Sequence, residues 1–214
     1  MSIQNTFTHI LSLLLPALLI WGCGNRDPKV RMPDAVPTTP QGVSAAKPDA
    51  SGVPEFSGTV SYDAISFTVT SPNRPLDNTA HLTSHGLTAV NADEDIPLTG
   101  KVTGLLIGDI DSDNQPELVI LTQSGNNRQG AAYIYSSNNG KSVSMVNLPE
   151  LKDNPKALQG YNGFDEFAIG ENAFLRRFPL FEGDKRTGKY RQFQYRLKNG
   201  EASKQLILYR TVEF

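Results

Sequence analysis

The chain has little cysteine, little tryptophan and no excess of charge of either sign. One cysteine in 214 residues excludes an intramolecular disulfide framework and any CxxC metal or redox motif. Its 20 basic and 22 acidic side chains leave a net charge of −2, so no whole-chain basic excess points to nucleic acid. GxSxG, HExxH, P-loop and GxGxxG signatures are all missing, which favours a binding role over an enzymatic one. What the chain does have is 18 glycines and 14 prolines, a share above the usual roughly 12% that suits a turn-rich fold better than a helical bundle.

The main apolar run is Ile10 to Ile20, ILSLLLPALLI. At about 1.5 Å per residue it is too short to cross a hydrocarbon core of about 30 Å, but it has the length of a signal-peptide apolar region. Ile20-Trp21-Gly22-Cys23 follows it. An apolar residue, a small residue and then cysteine resembles a bacterial lipobox, which implies acylation of Cys23 after removal of residues 1–22. Trp21 is bulky for its place, and no Lys or Arg precedes the apolar run. An ordinary cleaved signal and a buried helix are the alternatives. Acyl chains add about 0.8 kcal/mol of membrane affinity per buried CH₂. Gly24, in place of Asp, favours the outer membrane over the inner one by analogy with lipoprotein sorting. Residues 23–54 contain six prolines and few large apolar groups, the composition of a tether. The expected folded domain is 55–214, long enough to bury roughly 70% of its unfolded surface around a core of its own.

From Glu55 onward the dominant period is two. Ile65, Phe67 and Val69 alternate with polar residues, as on a half-buried strand. Lys101–Gly108 and Leu118–Thr122 are more continuously apolar, as strands buried on both faces would be. Ala131–Ser137 and Ser142–Val146 flank an Asn-Asn-Gly-Lys turn and read as a hairpin. Further strands are expected over Phe164–Ile169, Ala173–Phe181, Tyr190–Leu197 and Gln205–Val212, the last two joined through Asn199-Gly200. Glu150–Leu158 is the one helical segment, shortened by Pro155. The expected fold is all-β, an antiparallel β-sandwich of about eight strands with at most one short helix.

Charge is uneven within this domain. Residues 55–170 hold 6 basic and 14 acidic side chains, whereas 171–214 hold 10 basic and 5 acidic. The basic residues lie along strands, where they either pair with the acidic part on a solvated face or form a surface for an anionic partner.

Asp109-Ile110-Asp111-Ser112-Asp113-Asn114-Gln115-Pro116-Glu117 places carboxylates at positions 1, 3, 5 and 9 of a loop between two strong strands. Alternating Asp in a tight loop suits the six to eight oxygens Ca²⁺ prefers, so Asp109, Asp111, Asp113 and Glu117 form a candidate Ca²⁺ site. It is not an EF-hand, because Ile120 stands where that motif has Glu. The alternative is a metal-free turn in which Asp side chains accept backbone N–H groups. His81 and His85 share a strand face but lack the further ligands zinc needs. Gln123 to Gly130 joins two strands through two glycines and several amides, an exposed projection of the kind that carries binding sites, or an ordinary connector.

The order of several motifs adds a family resemblance. Pro116-Glu117-Leu118-Val119 closes the Asp-rich loop. Thr122-Gln123-Ser124-Gly125 ends one strand, and Tyr133-Ile134-Tyr135 lies on the next. Leu148-Pro149, Gly160-Tyr161-Asn162-Gly163-Phe164-Asp165-Glu166-Phe167, Leu175-Arg176-Arg177-Phe178-Pro179-Leu180-Phe181 and Arg191-Gln192-Phe193-Gln194-Tyr195-Arg196-Leu197 follow in order. This series resembles the periplasmic inhibitors of invertebrate-type (i-type) lysozyme, over roughly Gly104 to Leu208. The resemblance implies an antiparallel β fold, no enzymatic activity and a Ser-Gly loop that enters the lysozyme cleft. The matching residues are Ser124 and Gly125, continued here by Asn126, Asn127 and Arg128 in place of the family's Ser-Tyr pair. A small hydroxyl beside glycine suits approach to catalytic carboxylates, and Arg128 suits pairing with one. Tyr161 and Asp165 are expected to support the sheet. A second family loop is shortened here to Glu182–Gly188. The leading expectation is a lipid-anchored, periplasm-facing lysozyme inhibitor. A Ca²⁺-stabilised envelope binding module without lysozyme inhibition is the alternative, and a hydrolase built on the Asp-rich loop the remotest one.

Overall fold

A computed structural model describes residues 55–170, 172–200 and 203–214. The signal segment 1–22, Cys23 and the tether 23–54 lie outside the described residues. The described chain is all-β and sandwich-like, built from three four-stranded antiparallel sheets. The first holds β1 (Phe56–Tyr62), β2 (Ile65–Ser71), β3 (Asn78–His85) and β4 (Asp93–Leu98) in that order. The second holds β5 (Lys101–Gly108), β6 (Glu117–Ser124), β7 (Gln129–Ser137) and β8 (Val143–Val146). The third has the order β12-β11-β10-β9, with β9 (Glu166–Gly170), β10 (Ala173–Glu182), β11 (Lys185–Asn199) and β12 (Lys204–Glu213).

Twelve strands among the described residues exceed the expected eight or so. The additional ones, β1, β3 and β4, are rich in polar and small residues. β4 reads DEDIPL and buries only Ile96 and Leu98. It is an edge strand, where Pro97 is tolerated and acidic side chains discourage pairing with another chain. The helical segment is a 3₁₀ turn over Leu151–Asp153 followed by α1 (Pro155–Leu158). Pro155 supplies no N–H to continue the 3₁₀ turn, but it suits the first turn of α1, where Asn154 Oδ1 accepts the Ala157 N–H.

The central sheet separates two cores. Val102, Leu105, Leu118, Ile120 and Tyr135 pack with Val60, Phe67, Val69, Ala80, Leu82, Ile96 and Leu98 of the first sheet. Val119, Ile134 and Val146 pack with Phe174, Phe178, Leu180, Phe193, Tyr195, Leu197 and Leu206 of the third. Successive residues of a strand point to opposite faces, so a strand between two cores needs a continuous apolar run. Leu118, Val119 and Ile120 are each completely buried and supply it. Full burial of each such side chain stabilises by roughly 1.5–3 kcal/mol before entropy is counted. Both cores, among the described residues, draw only on positions within 55–214, the condition a segment needs to fold without what precedes it.

Polar side chains tie the layers. Asn73, with φ of 56°, accepts from Val102 N at 2.5 Å and donates to Val102 O at 3.1 Å. Asn78 donates to Gly100 O at 2.8 Å. The second and third sheets meet where Asn147 bridges Gln205 and Leu206 N donates to Asn147 O at 2.9 Å. No helix among the described residues is long and apolar enough to cross a membrane.

Candidate functional site

Strands β6 and β7 pair down to Gln123 with Gly130 and Ser124 with Gln129. The projecting part is therefore the four-residue turn Gly125 to Arg128, closed by Arg128 N donating to Gly125 O at 3.3 Å. Ser124 is the last rung of β6 and half-buried, while Gly125, Asn126 and Arg128 are exposed. Gly125 and Arg128 take φ of 66° and 49°, the left-handed conformation that turns the chain back sharply.

This turn rests on the segment from Gly160 to Asp165. Asn127 Nδ2 donates to Asn162 Oδ1 at 2.7 Å, and Phe164 N donates to Asn127 O at 2.7 Å. Gly163, at φ of 80°, is required there: a Cβ would stand 2.3 Å from Asn127 O. Beneath it, Asp165 Oδ2 accepts from Gly130 N at 2.7 Å and from the Tyr161 hydroxyl at 2.6 Å. Asp165 Oδ1 accepts from Arg176 Nε at 2.7 Å, and Arg176 also donates to Gly130 O at 3.3 Å. Asp165 is 2% exposed and Arg176 8%. Burial opposes the Arg176 charge, but Asp165 outweighs it and holds the guanidinium above its ordinary pKa. Burial and the hydrogen bond to Asp165 push the Tyr161 hydroxyl up as well. The base of the turn is thus a buried, charge-assisted network.

Arg176 was not among the expected support residues, although its position is informative. It occupies an inward place in the alternation Phe174, Arg176, Phe178, Leu180. An arginine at a core position of a strand calls for a buried carboxylate.

The segment Glu182–Gly188, expected as a loop, is a tight hairpin instead. Glu182 pairs with Lys185 and Phe181 with Arg186, leaving only Gly183 and Asp184 at the tip. Phe164 stacks on Phe181 with ring centroids 5.9 Å apart, and the Arg186 guanidinium lies 4.5 Å from the centre of the Phe164 ring. This places the hairpin beside the Gly125–Arg128 turn.

The Asp-rich loop is at the opposite ends of β6 and β7. Asp109 accepts backbone N–H groups from Ser112 at 2.6 Å, Asp113 at 3.2 Å and Asn114 at 2.9 Å. Ser112 and Asn114 have φ of 66° and 60°. Glu117 is fully buried, accepting from Ile110 N and Ser136 Oγ, each at 2.7 Å. Burial pushes the Glu117 carboxyl up to about 7. One carboxylate oxygen each from Asp109, Asp111 and Glu117 lies within 4.8 Å of the others. Asp113 turns to Lys204, whose ammonium is 2.9 Å from Asp113 Oδ2, 3.0 Å from Asp111 Oδ2 and 3.9 Å from Glu117 Oε1. A Ca²⁺ ion drawing on all four carboxylates would have to displace that ammonium. The free oxygen that favours one is Asp111 Oδ1, buried without a hydrogen-bond partner.

His81 and His85 lie on β3, both exposed. His81 meets Asp95 at 2.8 Å and Asp93 at 3.3 Å across the edge strand. His85 is not part of that contact.

The chain matches no family model, no curated protein and no solved structure.

Proposed function

We propose that this domain binds and inhibits lysozyme, with the i-type class favoured, by placing the Ser124–Arg128 turn in the active-site cleft. The observation that carries this reading is the exposed turn seated on the buried Asp165–Arg176–Tyr161 network. A binding loop held rigid before it meets its partner loses less conformational entropy on binding, so more of its contact energy becomes affinity. The series of motifs that resembles the lysozyme inhibitors supports the same reading. In it the protein acts by occlusion and carries out no chemistry of its own. Acylated Cys23 anchors the mature chain to the outer membrane, facing the periplasm, with 24–54 as the tether.

The test is inhibition of i-type, c-type and g-type lysozymes by residues 55–214. Inhibition of at least one class is expected, weakened by substitutions at Gly125 and Arg128. A folded domain that inhibits none would sink the proposal.

A second reading is a Ca²⁺-stabilised envelope binding module without lysozyme inhibition. It draws on the convergence of Asp109, Asp111 and Glu117 and on the unpartnered Asp111 oxygen. It requires a melting temperature that rises with millimolar Ca²⁺ and falls back with EDTA.

A further inference from the structure

Arg176, Arg177 and Arg191 of the third sheet each face a carboxylate, from Asp165, Glu166 and Glu213 respectively. Arg128 and Arg186 are exposed and have no such partner among the described residues. They stand at the same end of the molecule, linked through Phe164. The Phe164 N–H holds Asn127 O, next to Arg128. Its ring and that of Phe181 lie 5.9 Å apart, and the Arg186 guanidinium packs against both, 4.5 Å from the Phe164 centroid and 5.7 Å from that of Phe181.

Phe164 also has φ of 60°, an uncommon and strained conformation for an aromatic residue. The bond from Phe164 N to Asn127 O and the stack on Phe181 hold it in that conformation. A guanidinium lying over an aromatic ring is oriented by it, while its N–H edge stays free for a bidentate carboxylate. A lysine on the same stem would have the charge without the plane.

We infer that Arg186, seated on the Phe164–Phe181 stack, is a second carboxylate-binding group beside Arg128, so that this end of the domain takes a partner surface bearing two nearby carboxylates. The inference rests on the lysozyme reading of the turn. It deepens that reading, because glycoside hydrolases carry a pair of carboxylates roughly 5–9.5 Å apart across the scissile bond. A single arginine would answer only one of them.

The experiment compares Arg128→Gln, Arg186→Gln, Arg186→Lys and Arg196→Gln in the 55–214 domain, using inhibition of the most sensitive lysozyme. Arg196→Gln removes the same charge from a residue stacked on Tyr209, 4.1 Å from its ring centre and away from the turn. The expected result is an inhibition constant raised about tenfold or more by Arg128→Gln and by Arg186→Gln, the scale of one lost charge-assisted pair. Arg186→Lys recovers only part of the loss, and Arg196→Gln changes nothing. Wild-type inhibition by Arg186→Gln overturns the inference, as does an equal loss in Arg196→Gln, which would mark a general charge effect. If wild type inhibits no lysozyme, fluorescence anisotropy with a labelled hexaglutamate peptide separates the two ideas. Salt-sensitive binding lost in Arg186→Gln and kept in Arg196→Gln supports the carboxylate site while the lysozyme reading falls. No binding overturns both.

Discussion

The amide of Gly130 donates to the carboxylate of Asp165 at 2.7 Å, across 35 residues of sequence. That bond joins the first rungs of β7 to the segment before β9, and it carries the turn Gly125–Arg128 on a charged group that is 2% exposed. The conformation of the turn is therefore coupled to the Asp165–Arg176 pair.

Asp165→Asn should destabilise the domain by about 3–5 kcal/mol, because it leaves the Arg176 charge buried without its counter-ion. Urea denaturation measures this. Amide exchange of Gly130 should accelerate more than that of Ile120 or Phe193, which stand in the two cores. Uniform acceleration across all three would show that Asp165 does not hold the turn in particular.

Gly130→Ala should be damaging although nothing about its backbone is special. A Cβ there would lie 2.6 Å from the Phe167 ring and 2.7 Å from Asp165 Cβ. The expected cost is about 1–3 kcal/mol in thermal or urea melts, together with weaker lysozyme inhibition. Gly125→Ala meets no atom within 4 Å, so its cost comes only from φ of 66° and should be smaller.

The Glu117 carboxyl, pushed up to about 7 by burial, predicts a stability that falls as pH rises. Its ordinary value is 4.5, so between 4.5 and about 7 the folded state holds a proton that the unfolded state has released. That contribution is fully present below 4.5 and is lost as the pH passes through about 7. Over the window it amounts to roughly 3 kcal/mol as an upper scale. Glu117→Gln should flatten the urea midpoint against pH between pH 5 and 7, roughly the span separating the two values. An unchanged slope would remove Glu117 as its source.

Lys204→Met keeps the aliphatic stem and removes the ammonium from Asp111, Asp113 and Glu117. The lysine side chain is 15% exposed, so the loss should exceed that of a surface pair, about 1–3 kcal/mol in urea melts. The loss should shrink in an Asp113→Asn background, where one of the lysine's partners is already gone. An equal loss in that background would point to packing of the stem instead.

The alternation and apolar runs from Lys101 to Val212 were enough to place most of the strands, because a strand between a core and solvent writes its burial into every second residue. The doubly buried β6 was readable for the complementary reason, an unbroken run at Leu118, Val119 and Ile120. β1, β3 and β4 were not, since strands with one thin apolar stripe and polar neighbours resemble loops until a facing sheet gives them a core. The turn at Gly125 was legible from its glycine and amides, but its short extent depended on the pairing of Ser124 with Gln129. The acidic spacing of Asp109 to Glu117 was plain as well. That Lys204 lies against it, 93 positions after Asp111, follows only from the packing of the third sheet on the second.

Residue types and their local order thus determined an all-β chain, its principal hairpins and the exposed turn. Tertiary structure alone decided which charges meet. Backbone period and turn chemistry act over a few residues, so a sequence records them directly. The partners of Asp165, Arg186 and Lys204 are brought within reach by the stacking of sheets, and the strength of each contact depends on the water that this stacking removes.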